Sequence, residues 1–134
     1  MRVIIGGAGR VGTELAKTLR AEEMDVVLVD SDSRAVKNAQ NLDVLVIHGD
    51  LTTREKLHEA GIGEAEVFVA ATNSDERNLL ACALAEHAHY QYGGSKAKPL
   101  LSISRVRSLN FMQEQQEGHL TGWAKVNHVV NPLD

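Results

Sequence analysis

The residues with the clearest chemical potential stand near the start of the chain, in Gly7-Ala8-Gly9-Arg10-Val11-Gly12. Glycines in the spacing G-x-G-x-x-G, between an apolar run and a helical stretch, build a turn that takes a pyrophosphate. Gly7 permits the tight exit from a strand. Gly9 lets the backbone approach the phosphates, and Gly12 lets the next helix pack closely on the sheet. The first amides of that helix face the anion, and the helix dipole favours it. The bare spacing also fits an ordinary strand-to-helix turn, so its weight comes from context. Asp30 supplies that context: it ends the next apolar run, at the distance of about 20 residues where an acid accepts from the adenosine ribose hydroxyls. The same charge repels a 2′-phosphate, which favours NAD over NADP.

Two later strand ends point to the same crevice, because ligands of open parallel sheets bind beyond the carboxyl ends of the strands. One run ends in Gly49-Asp50. Gly49 leaves room for an adenine edge and Asp50 offers it an acceptor, although a plain turn before Thr52 fits the same residues. Another ends in Ala71-Thr72-Asn73-Ser74-Asp75-Glu76. That segment suits a ligand wall and equally a helix N-cap with acids in the first turn, and we read it as both.

These residues need a scaffold, and the periodicity supplies one. Short β-branched runs predict strands at Arg2–Gly6, Val26–Asp30, Val44–His48, Val67–Ala71, Leu100–Val106 and Val126–Val130, the last followed by Pro132. Helical stretches fall between them. The first covers Val11–Arg20, and a second starts at a cap from Ser31 or Ser33 and runs to about Asn41. A third opens on a capping box, Thr52-Thr53-Arg54-Glu55, and stops at Gly61. The fourth spans Asp75 to His89, with Leu79, Leu80, Ala83 and Leu84 in its buried stripe. The fifth is capped by Ser108 and ends near Gly118. Such alternation predicts an α/β, Rossmann-type, doubly wound and mainly parallel six-stranded sheet with helices on both faces. The expected order is 3-2-1-4-5, with the sixth strand at the edge. Tyr90–Lys98, with its glycines and lysines, reads as an exposed loop.

Composition agrees. A chain of 134 residues suffices for one domain, 1–134, and hydrophobic (43%) and charged (24%) fractions are those of a globular protein. A net charge of -4 argues against a general nucleic-acid surface, and no apolar run reaches the length of about 20 residues that a bilayer demands. The single cysteine, Cys82, excludes an internal disulfide and fits a reducing cytoplasm. His87 and His89 lie two apart and so do not share a helix face, and no metal site is expected. Cys82 reads as a small core residue, and the two histidines as a polar helix end favoured by the dipole.

Together these residues resemble a known family, the N-terminal nucleotide-binding domains called RCK or KTN, found in TrkA regulators of Trk potassium uptake. The resemblance is carried by the glycine turn, by Val29-Asp30-Ser31-Asp32, by His48-Gly49-Asp50 and above all by Val69-Ala70-Ala71-Thr72-Asn73-Ser74-Asp75-Glu76-Arg77-Asn78. Ser104-Arg105-Val106-Arg107-Ser108 looks like that family's Arg-x-Arg segment, and Val126–Pro132 like its closing strand. The resemblance implies a non-catalytic, cytoplasmic sensor that binds NAD or NADH, or ATP or ADP. It implies pairing into a homodimer or a larger ring that gates a Trk-type membrane potassium transporter subunit. Such a domain sits at the inner face of the membrane through its partner, without inserting directly. The chain then reads as one domain of a longer protein. By the resemblance, Gly7, Ala8, Gly9, Arg10 and Val11 hold the phosphates, Asp30 the ribose, and Thr72 and Asn73 the wall after the fourth strand, while Arg105 faces the ligand. Gly12, Ser31, Asp50, Leu51 and Glu76 complete the expected nucleotide-binding set. The competing expectation is the cofactor domain of an NAD-dependent dehydrogenase. Hydride transfer needs a positioned acid or base beside the nicotinamide, and no such pair stands at a recognisable spacing.

Overall fold

The computed structural model describes residues 1–131. Its strands are β1 (Arg2–Gly6), β2 (Asp25–Asp30), β3 (Leu45–His48), β4 (Val67–Ala70), β5 (Leu101–Arg105) and β6 (His128–Val130). Between them run α1 (Arg10–Ala21), α2 (Ser33–Ala39), α3 (Arg54–Glu59), α4 (Asp75–Gln91) and α5 (Leu109–Gln116). The six strands form one sheet in the order β3-β2-β1-β4-β5-β6, and every pair is parallel. The sheet class and strand order are those the alternation predicted. No helix among the described residues is long and apolar enough to cross a membrane.

The central strands β1, β2 and β4 are apolar along their middles because both faces of the sheet are covered, whereas β5 buries Ser102, Ser104 and Arg105. Successive residues of β1 alternate sides: Val3 and Ile5 join Leu28, Val69 and Ala16, whereas Ile4 joins Val27, Phe68, Leu57 and Leu79. The first cluster lies under α1, and the second under α3 and α4. The register fixes the site: Gly6, at the end of β1, pairs with Val29 and with Ala70, so the carboxyl ends of β2, β1 and β4 open side by side.

Several local expectations need correction. The cap of α2 is Asp32, whose carboxylate accepts from the Arg34 amide at 3.0 Å, rather than Ser31 or Ser33. The cap of α3 is Thr53, accepting from the Lys56 amide, one residue later than the capping box predicted. Thr52 is drawn away to Asp50, to which its hydroxyl donates at 2.6 Å. Ser108 sits at the cap position of α5 but makes no side-chain cap bond. The buried face of α4 comprises Asn78, Leu79, Ala81, Cys82, Ala85, Ala88 and His89, while Leu80 is 57% exposed. Apolar residues occur on every side of that helix, so periodicity alone did not fix its phase. It also runs on to Gln91, which shortens the Tyr90–Lys98 loop to a turn through Gly93 and an exposed stretch after it. Pro132 lies outside the described residues.

Candidate functional site

Each glycine of the turn has its own reason to be one. Gly7 has φ +113°, and a Cβ there would stand 2.8 Å from the Ala71 carbonyl oxygen. A Cβ on Gly12 would stand 1.8 Å from the Gly7 carbonyl oxygen, so only glycine lets α1 start this close to β1. Around Gly9, by contrast, a Cβ would meet nothing within 4 Å. Gly7 and Gly12 are therefore required by the protein's own packing, and Gly9 is not. Gly9 is also the N-cap of α1 and supplies no side-chain bond to its first amides. Those donors and the dipole give the opening a partial positive charge.

Asp30 closes the other side of this opening. Its Oδ2 accepts from the Ala8 amide at 2.7 Å and its Oδ1 from the Asp32 amide at 2.8 Å. Two backbone donors therefore fix the carboxylate at the end of β2, each leaving lone pairs on its oxygen. The crevice between these elements has a volume of about 530 Å³, within the range of about 300–1,000 Å³ usual for ligand pockets.

Eight of the expected residues line it: Gly7, Gly9, Arg10, Val11, Asp30, Thr72, Asn73 and Arg105. The structure adds Asp32, Ala35 and Ala71. Asp32 stood in the sequence only as a member of Val29-Asp30-Ser31-Asp32, with no role of its own, and the two alanines carry no chemical signature in sequence. Arg105, although 4% exposed, reaches Asn73, donating from Nη1 to Oδ1 at 3.3 Å.

The other expected residues stand outside the lining. Ala8 contributes its amide to Asp30, and Gly12 serves the helix packing. Ser31 is exposed, and its carbonyl meets His48 Nε2 at 3.0 Å. Asp50 is turned to Thr52 and to Arg77, whose Nη2 donates to Oδ1 at 2.8 Å. The Thr52 hydroxyl and amide, with Arg77, hold the Asp50 carboxyl below its usual range, against the opposing effect of burial. Leu51 is buried behind Gly6, where it would touch any added Cβ. Glu76 accepts from the Ser74 hydroxyl at 3.4 Å. Ser74 also caps α4, accepting from the Arg77 amide at 3.2 Å.

The remaining candidates fall elsewhere. His89 is not a solvated helix end: it is buried, with Nδ1 against the Ile62 carbonyl at 2.7 Å. Cys82 is a core residue, as expected, and burial pushes its thiol up to about 12. Glu114, Glu117 and His119 come together at the surface at the C-terminal end of α5, a grouping that their spacing in the sequence does not announce. Glu114 contacts His119 Nδ1 and raises the imidazole's affinity for a proton.

A parallel sheet of this order, with a glycine turn after β1 and an acid ending β2, places the chain in the class of doubly wound, Rossmann-type domains. Within that class the TrkA-N domain family model matches residues 3–132, and the chain belongs to the TrkA-N domain family. It is 32% identical over 133 residues to the Trk system potassium uptake protein TrkA of Vibrio alginolyticus, covering 98% of this chain and 27% of that protein. Solved structures show the same fold. The TrkA-N domain of the Escherichia coli inner membrane protein ybaL superposes with TM-score 0.77 at 18% identity, covering 97% of this chain and 86% of that one. The GsuK channel bound to NAD gives 0.74 at 17%, covering 96% and 21%. The AMP-bound C-terminal domain of Kef from Shewanella denitrificans gives 0.70 at 21%, covering 98% and 72%.

Proposed function

We propose that the chain is the nucleotide-sensing domain of a longer regulator of potassium uptake, with NAD or NADH as ligand and ATP or ADP as the alternatives. The observation that carries this reading is the split among the turn glycines. Two are demanded by packing, whereas Gly9 faces open space beside uncapped helix amides and a fixed ribose-side acid. A glycine at this helix start leaves the backbone amides open to the close approach of a bound anion. Gly7, Gly9, Arg10 and Val11 surround the phosphates, Asp30 the ribose, and Thr72, Asn73 and Arg105 the far wall. Ala8 and Gly12 support the turn. Ser31, Asp50, Leu51 and Glu76 form an outer set, of which Asp50 and Leu51 back the base end.

The regulatory part of the reading draws on the family. The TrkA relative is a potassium uptake protein, and the fold recurs in a channel with NAD bound and in a Kef domain with AMP bound. A nucleotide moves such a domain only by binding one of its states better than another. In this reading the domain works in the cytoplasm as a homodimer or ring, against a Trk-type transporter subunit at the inner face of the membrane. It consumes nothing. Among the described residues, the crevice lining holds no histidine, cysteine, tyrosine or lysine, and its acids, Asp30 and Asp32, lie at the ribose end. That lining supports a sensor over a severed dehydrogenase domain.

Calorimetric titration with NAD, NADH, ATP and ADP tests the binding, and absorbance at the NADH band in the presence of alcohols and hydroxy acids tests for turnover. Saturable binding without oxidation is the expected result. Steady oxidation would move the chain to the dehydrogenases.

A further inference from the structure

Behind the crevice stands a residue that touches none of its open volume. Asn78 lies in the first turn of α4 with 0% exposure. A buried amide is costly unless each of its donor and acceptor positions is met. Here they are met by two segments only. Oδ1 accepts from the Thr72 amide at 3.0 Å and from the Thr72 hydroxyl at 2.6 Å. Nδ2 donates to the Thr72 carbonyl at 3.2 Å and to the Arg105 carbonyl at 2.9 Å. One side chain thus holds Thr72 by its amide, its hydroxyl and its carbonyl, and joins it to the end of β5. Both residues it holds line the crevice.

A second tie lies one helical turn away. The Asp75 carboxylate accepts from the Arg107 amide at 2.9 Å and from the Ser108 amide at 2.8 Å, just before α5 begins. The segments after β4 and after β5 are therefore fastened together by Asn78 and by Asp75, in addition to the bond from Arg105 to Asn73. They form one unit running from the crevice wall to the start of α5. A hydrogen-bonded route therefore runs from Thr72 and Arg105 to the amides of Arg107 and Ser108.

From this geometry we infer that Asn78 is a positioning residue for the nucleotide site, setting Thr72 and Arg105 in register, and that Asp75 carries the site's occupancy to α5. The inference rests on the nucleotide reading above and adds to it the path by which binding leaves the crevice. Neither residue is a ligand contact.

The test compares Asn78→Ala and Asn78→Asp with Leu79→Ala, a neighbouring buried residue whose loss disturbs the core and not the site. NADH and AMP are titrated calorimetrically, and Tm is measured without ligand. The amide exchange of Arg107 and Ser108 is followed with and without NADH in the wild type and in Asp75→Asn. A structural role alone would place all three core variants on one line of affinity against Tm. The inference predicts that the Asn78 variants lose about tenfold or more in affinity beyond Leu79→Ala at equal Tm loss, a factor worth about 1.4 kcal/mol. It also predicts that NADH changes exchange at Arg107 and Ser108 in the wild type, and that Asp75→Asn removes this response while its Kd stays within about threefold. Should the Asn78 variants not fold, the exchange arm decides alone. Wild-type binding with affinity unaltered in the folded Asn78 variants, or with no exchange response at those amides, overturns the inference and leaves the nucleotide reading intact. No binding by the wild type overturns both.

Discussion

Asp30 Oδ2 and the Ala8 amide are joined by a 2.7 Å hydrogen bond that ties the end of β2 to the middle of the glycine turn. The acid assigned to the ribose is thus also a strut of the phosphate turn. Asp30→Ala removes both at once. It is expected to weaken NADH binding by on the order of 1.5–3 kcal/mol, the usual worth of hydrogen bonds to a charged group. It should also erode discrimination against NADPH, because the repulsion of a 2′-phosphate goes with the charge. Parallel titrations with NADH and NADPH check this, and wild-type selectivity in the variant would contradict the placement of the ribose.

The turn glycines should separate by phenotype. Gly9→Val is expected to keep the far-ultraviolet circular dichroism and Tm near wild type, since a Cβ there meets no protein atom within 4 Å, and to abolish nucleotide binding. Gly12→Ala is expected to destabilise the domain by about 1–3 kcal/mol, as overpacking does, because its Cβ would strike the Gly7 carbonyl. Urea midpoints give the second value, and equal midpoints for the two variants would contradict the division of roles.

Much of this was legible in sequence, and the rest was not for identifiable reasons. The parallel sheet followed from the alternation of apolar runs and helices, because parallel neighbours require crossovers, and the strand order followed from the doubly wound class. The crevice residues Gly7, Gly9, Asp30 and Thr72 were legible because each ends a strand or opens a helix, where the fold itself dictates exposure. Asp50 is also at a strand end, yet it turns to Thr52 and Arg77, and nothing in its own spacing announces that competition. Asn78 belongs to a recognisable motif, but its bonds to Thr72 and Arg105 span segments that only the folded chain brings together. The phase of α4 was missed for the related reason that its buried face includes an asparagine and a histidine, which pattern reading assigns to solvent.

Asp50 gives a prediction in pH. Its carboxyl is held below the usual range by Thr52 first and by Arg77 after it, so its charged form is favoured in the folded state. The stabilisation is therefore complete above the unfolded value of about 3.9 and is lost as the pH falls through the lower folded value. Urea midpoints of wild type and Asp50→Asn should differ at neutral pH and converge in acid. The effect is small, because the side chain is 43% exposed and solvent screens it. A gap that widens in acid would contradict the assignment.

Cys82 is fully buried, and its thiol, pushed up to about 12, holds its proton at neutral pH. Thiol reagents should label the native protein only through opening of the fold, with labelling that rises along the urea unfolding curve. Rapid stoichiometric labelling in native buffer would contradict the packing of α4 on the sheet.

The central claim is that a nucleotide occupies the crevice at the carboxyl ends of β1, β2, β4 and β5. Amide chemical shifts recorded during titration with NADH test it most directly. The account predicts saturable shifts at Gly7, Ala8, Gly9, Arg10, Thr72 and Asn73. It predicts none at the opposite end of the sheet, where Arg20, Met24, Asp25 and Val44 line a second groove. Shifts confined to that second groove, or none at saturating NADH, NAD, ATP and ADP, would contradict it.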